Sequence, residues 1–131
     1  MRSGRVRLVV LELAGYAALL AGLSLLPGQG RLSGWDTAIT ATLQNGLHVP
    51  AYGVLLVCAW RALGAGSGGR RLLLLGVAGG CVAFGTALEA AQAMVPGRVA
   101  SLWDILLNVA GVAMGVGGVL VWRWRERRAQ S

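Results

Sequence analysis

Four apolar stretches, bounded by arginine, glycine or proline, organise the chain. The first covers residues 6–26 and stops at Pro27-Gly28, close to the ~20 residues a helix needs to cross a bilayer. Residues 28–46 are mixed and polar, too hydrophilic for lipid, with an interfacial helical turn predicted around residues 35–43. Further spans are predicted over 47–63, 72–95 and 102–122. Residues 64–71, Gly-Ala-Gly-Ser-Gly-Gly-Arg-Arg, have linker composition, and Pro96-Gly97 is a strong turn signal ahead of Ser101, which opens the fourth span. Arg2, Arg5 and Arg7 resemble the charged start of a signal peptide, but the apolar part is too long and no A-x-A site follows, so an uncleaved anchor is expected.

Composition sharpens the picture. With 131 residues, 56% hydrophobic and 13% charged, and a mean hydropathy of +0.65, the chain carries more apolar surface than a soluble domain this small can bury. The 21 glycines suit helices that approach closely in lipid. The net charge of +7 would ordinarily raise nucleic-acid binding, but the basic residues are all arginines at the ends of apolar stretches. Arg2, Arg5 and Arg7 lie at the N-terminus, Arg61, Arg70 and Arg71 at the second connection, and Arg123, Arg125, Arg127 and Arg128 follow the fourth span. Only Arg31 and Arg98 occupy the other two connections. The positive-inside rule then places both termini in the cytoplasm. Trp60, Trp122 and Trp124 fall at one set of span ends and Trp35 and Trp103 at the other, as interfacial aromatics do. The expected fold is all-α, a polytopic membrane protein with a four-transmembrane-helix bundle and no partnership with nucleic acid.

In that orientation the remaining polar residues gather at the outer side. Asn45 and His48 begin the second helix, Glu89 and Gln92 end the third, and Asp104 and Asn108 begin the fourth. Glu89 and Gln92 are spaced i, i+3, and Asp104, Asn108, Gly111 and Gly115 step by four, three and four, so each set lies on one face. An ionisable group inside a span is costly and reads as functional by default. Arg98 is the cation nearest Glu89 in sequence and suits a phosphate or carboxylate, while His48 and Glu89 suit acid or base roles.

Structural roles stand beside these. Ser101-Leu-Trp-Asp104 is a capping-box pattern, Glu89 and Arg98 can form an interfacial ion pair, and a lone histidine at a helix start more often makes a structural hydrogen bond than catalyses. One histidine without a neighbouring cysteine does not suggest zinc, so neither a metal nor a cofactor is expected. Cys58 and Cys81 sit in apolar runs and are expected to pack as small hydrophobes. Glu12 is expected to play a structural role, snorkelling or pairing with Arg7, Arg70 or Arg71. Gly111-x-x-x-Gly115 marks a tight helix contact, within the bundle or between protomers.

The string Glu89-x-x-Gln92-x-x-x-Pro96-Gly97-Arg98-x-x-Ser101-x-x-Asp104-x-x-x-Asn108-x-x-Gly111-x-x-x-Gly115 resembles the C-terminal signature of VanZ-like membrane proteins. His48-x-x-x-Tyr52-x-x-Leu55 is similar to the family's second motif, at the start of the second helix. Gln44 and Asn45 stand where the family usually carries Asp-Lys, and Val49 and Pro50 replace its aromatic neighbourhood. The resemblance implies a single VanZ-like domain over 1–131 with four spans. It also implies a link to tolerance of teicoplanin, a glycopeptide antibiotic with a fatty-acyl tail, and it implies no particular reaction.

Three functions remain open from the sequence. The first is an outer-leaflet pocket of His48, Tyr52, Glu89, Gln92, Arg98, Ser101, Asp104 and Asn108 that binds an anionic lipid, a lipid-linked envelope precursor or a lipoglycopeptide. The second is acid-base chemistry by His48 or Glu89 on a lipid headgroup. The third is an assembly partner, docking a second copy or a larger membrane protein through the Gly111 face. The Ala-, Gly-, Leu- and Arg-rich, lysine-free composition points to a bacterial source with a GC-rich genome, and the expected location is the bacterial cell membrane.

Overall fold

The computed structural model describes residues 2–25, 37–63, 70–95 and 101–130. They form four helices, α1 (Arg2–Leu25), α2 (Thr37–Leu63), α3 (Arg70–Gln92) and α4 (Leu102–Ala129), with no strand among the described residues. Each contains a segment long and apolar enough to cross a membrane: Val6–Leu25, Gly46–Leu63, Arg71–Gln92 and Leu102–Ala129. The chain is therefore a multi-pass, all-helical membrane protein.

Two boundaries differ from those the pattern predicts. Helix α2 begins at Thr37, ten residues before its predicted span, because nothing between Thr37 and Gly46 breaks a helix although its polar residues hide the apolar period. Helix α4 runs on to Ala129, since arginine, glutamate and alanine are good helix formers and the basic last turn suits the helix dipole.

The helices run alternately up and down. At one end Arg61 Nη1 lies 3.3 Å from Glu12 Oε2, and the Arg123 guanidinium carbon stands 5.7 Å from the Trp60 ring centroid. These contacts join the middle of α1 to the last turns of α2 and, through Arg123, to the C-terminal part of α4. Among the described side chains the partner of Glu12 is thus Arg61, not the expected Arg7 or Arg71, because antiparallel packing brings the last turn of α2 beside it; the side chain of Arg70 lies outside them. At the opposite end Gln92 Nε2 donates to the Ser24 carbonyl at 3.0 Å, tying the end of α3 to the end of α1.

The core is built from i, i+3, i+4 faces: Tyr52, Leu55, Leu56, Ala59 and Trp60 on α2, Leu74, Val77 and Cys81 on α3, and Val112 and Val119 on α4. Cys81 packs there and Cys58 is partly buried; neither is in a disulfide. Helix α1 is peripheral. It lays Leu13, Tyr16, Ala17 and Leu20 on the core and donates Tyr16 Oη–H to the Ala51 carbonyl at 3.0 Å. Its Leu8, Leu11, Leu19 and Leu23 face outward, as lipid-facing residues should.

The most extensive contact joins α2 and α4, and glycine explains it. A Cβ on Gly111 would fall on the Val49 carbonyl oxygen. One on Gly115 would come within 2.8 Å of both the Gly53 carbonyl oxygen and Leu56 Cδ2, and one on Gly53 within 3.3 Å of the Gly111 carbonyl. The four-residue step from Gly111 to Gly115 therefore matches the step from Val49 to Gly53, and the backbones meet as small-residue faces allow. Of the two places expected for this contact, within the bundle or between protomers, the described residues show the first: the Gly111–Gly115 face packs on α2 of the same chain. Gly117 and Gly118 have open space around them.

Candidate functional site

At the end of the bundle opposite the Arg61–Glu12 pair, polar side chains from three helices meet. His48 lies near the membrane-spanning start of α2, two residues before Pro50 and one turn before Tyr52. Pro50 has no N–H to give the Gly46 carbonyl, so the helix ladder is interrupted beside the histidine. The imidazole stacks parallel to the Tyr52 ring, centroids 6.3 Å apart and planes within 7°. Its Nδ1 is 2.8 Å from Asn108 Oδ1. An amide oxygen only accepts, so Nδ1–H donates.

Asn108 comes from the second turn of α4 and is 1% exposed. Its Nδ2 has no hydrogen-bond partner among the described residues. Gly85 of α3 makes the close approach possible: a Cβ there would lie 2.7 Å from Tyr52 Cε1 and 2.9 Å from Asn108 Nδ2. Glu89, one turn beyond Gly85, is 2% exposed. Asp104, one turn before Asn108, has an Oδ1 sealed from solvent without a hydrogen-bond partner among the described residues. One ligand-capable atom from each of His48, Glu89 and Asp104 lies within 4.8 Å of the other two. Two carboxylates this close in a low-dielectric surround repel strongly unless positive charge is shared between them.

The residues singled out from the sequence separate into groups. His48, Tyr52, Glu89, Asp104 and Asn108 converge. Gln92 is buried, but its Nε2 is spent on the Ser24 carbonyl. Ser101 is the N-cap of α4, its hydroxyl accepting from Trp103 N–H at 3.2 Å, outside the cluster. Arg98 and the side chains of Gln44 and Asn45 lie outside the described residues. The sequence reading passed over Gly85 and Gly53, which admit the neighbouring helices. Gly85 stands four residues before Glu89, and that spacing was the available signal.

The VanZ/LLP1 family model matches residues 6–123, nearly the whole chain. No curated protein and no solved structure matches.

Proposed function

The chain belongs to the VanZ/LLP1 family, and from that premise we propose that it is a binding protein of the bacterial cell membrane. In this reading both termini are cytoplasmic and the polar cluster holds the headgroup of an amphiphile in the outer leaflet. The ligand class is an anionic lipid, a lipid-linked envelope precursor or an acylated glycopeptide such as teicoplanin. The observation that carries the reading is the convergence of His48, Glu89, Asp104 and Asn108 from three helices at one end of a membrane bundle. Such groups are expensive in lipid and are retained where they contact something polar. The arginine-rich helix ends lie at the other end, so the positive-inside rule puts the cluster outside. Arg98 belongs to the short connection between Val95 and Ser101, which joins α3 and α4 at the polar end, and supplies the anion contact.

The test is thermal unfolding in neutral detergent with added phosphatidylglycerol or phosphatidylcholine. Phosphatidylglycerol is expected to raise Tm in wild type and not in Arg98→Ala. Equal effects of the two lipids, or an undiminished effect in the variant, contradict the reading.

A second reading is favoured by one observation. His48 shares one cluster with the carboxylates of Glu89 and Asp104, an arrangement suited to proton transfer on a headgroup. Headgroup turnover lost in both His48→Ala and Glu89→Gln is its expected sign.

A further inference from the structure

We propose that His48, Glu89 and Asp104 bind a divalent metal ion, with Asn108 as the residue that orients the histidine. Three features support this beyond the clustering of carboxylates.

The first is the donor set. One imidazole nitrogen and two carboxylate oxygens arrive from α2, α3 and α4, all within 4.8 Å of one another. Bonds of about 2.0–2.2 Å require neighbouring donors roughly 3 Å apart. Closure by side-chain rotation of an ångström or two completes the site. A mixed nitrogen and oxygen set of this kind suits Zn2+ or Mn2+ better than the all-oxygen ions.

The second is the orientation of the histidine. A metal-bound imidazole usually donates its other N–H to a carbonyl or carboxylate, which fixes the tautomer and the ring. His48 Nδ1 and Asn108 Oδ1 are in that relation at 2.8 Å, leaving Nε2 as the ligand nitrogen.

The third is what remains unpaired in a buried place. Asn108 is 1% exposed, its Oδ1 meets His48 of the cluster, and its Nδ2, beside Gly85, has no hydrogen-bond partner among the described residues. A buried donor without an acceptor is costly. A metal-bound water or an oxygen of a bound headgroup would satisfy it. Asp104 Oδ1, shielded and likewise without a hydrogen-bond partner, is a ligand oxygen ready for a cation.

The inference takes from the preceding reading only that this cluster is a binding site. The experiment is therefore done on delipidated protein without amphiphile, so metal and lipid results stand or fall separately. Full-length protein in detergent is stripped with EDTA, equilibrated with Zn2+ or Mn2+, desalted and analysed for metal per chain, with Tm measured in parallel. One ion per chain and a Tm rise are expected in wild type, with both lost in Asp104→Asn and Glu89→Gln. Glu12→Gln, at the far end of the bundle, retains both. Asp104→His, which restores a ligand as nitrogen, is expected to bind Zn2+ again and to favour it over Mn2+ relative to wild type. It keeps the proposal testable where Asp104→Asn fails to fold. Absence of stoichiometric metal in folded wild type, or occupancy unchanged in folded Asp104→Asn, overturns it.

Discussion

At the scale of single residues, Asn108 matters most. It is buried, contacts His48 through Oδ1 and faces Gly85 through Nδ2. Replacing it by leucine removes an acceptor that fixes the imidazole and leaves the Nδ1–H of His48 without its partner. Asn108→Leu is expected to destabilise the bundle by about 1–3 kcal/mol. It should also abolish the Nδ1–H tautomer preference, which 15N NMR of the imidazole reads directly. The Arg61–Glu12 pair is the contrasting case. Its side chains are 54% and 40% exposed, so Glu12→Gln should cost less than ~1 kcal/mol in the same unfolding measurement. Much of the residue-level chemistry was legible in the sequence, because polar residues inside apolar spans stand out and their helical spacing assigns them to faces. What was not legible was the partner of each one. Gln92 turned to the Ser24 carbonyl and Glu12 to Arg61, choices made by the packing of α1, for which no local spacing gives a signal.

At the scale of elements, the glycines divide into two sets with opposite expected behaviour. Gly115→Ala places a Cβ within 2.8 Å of the Gly53 carbonyl oxygen and of Leu56 Cδ2, and the backbone cannot yield cheaply. A loss of about 1–3 kcal/mol is expected as α2 and α4 are pushed apart. Gly117→Ala meets open space and gains helix propensity, so it should be neutral or stabilising by up to ~1 kcal/mol. Unfolding of the two variants side by side distinguishes the sets. The Gly111-x-x-x-Gly115 spacing announced a close contact without saying what fills it. The complementary step from Val49 to Gly53 is hidden in α2 by a valine, which contributes through its carbonyl and not its side chain. The early start of α2 was obscured for a related reason: hydropathy reports the lipid-facing part of a helix, and residues 37–45 carry too little of it.

At the scale of the molecule, the bundle has two chemically different ends. One carries Arg61 and Arg123 with Trp60, and the other carries His48, Glu89, Asp104 and Asn108. The four-helix topology followed from the sequence because span length, turn signals and arginine placement agree. The same placement puts His48, Glu89 and Asp104 at one end of the bundle, but that their donor atoms approach within 4.8 Å of one another, close enough for a metal, is not legible in residues scattered over 57 positions. The orientation has its own test. A cysteine introduced as Ser131→Cys should react with a membrane-impermeant maleimide only after the cells are opened, and labelling of intact cells would contradict cytoplasmic termini.

Whether the polar end holds a specific headgroup is read out by native mass spectrometry of protein released from gentle detergent. Wild type is compared with Arg98→Ala and Asn108→Leu, and bound material is followed over time. Wild type is expected to carry a defined co-purifying lipid mass that both variants lose and that does not change on incubation. A lipid converted to a new mass would favour the acid-base reading. Wild type carrying no specific lipid, or the variants carrying it equally, would contradict the claim.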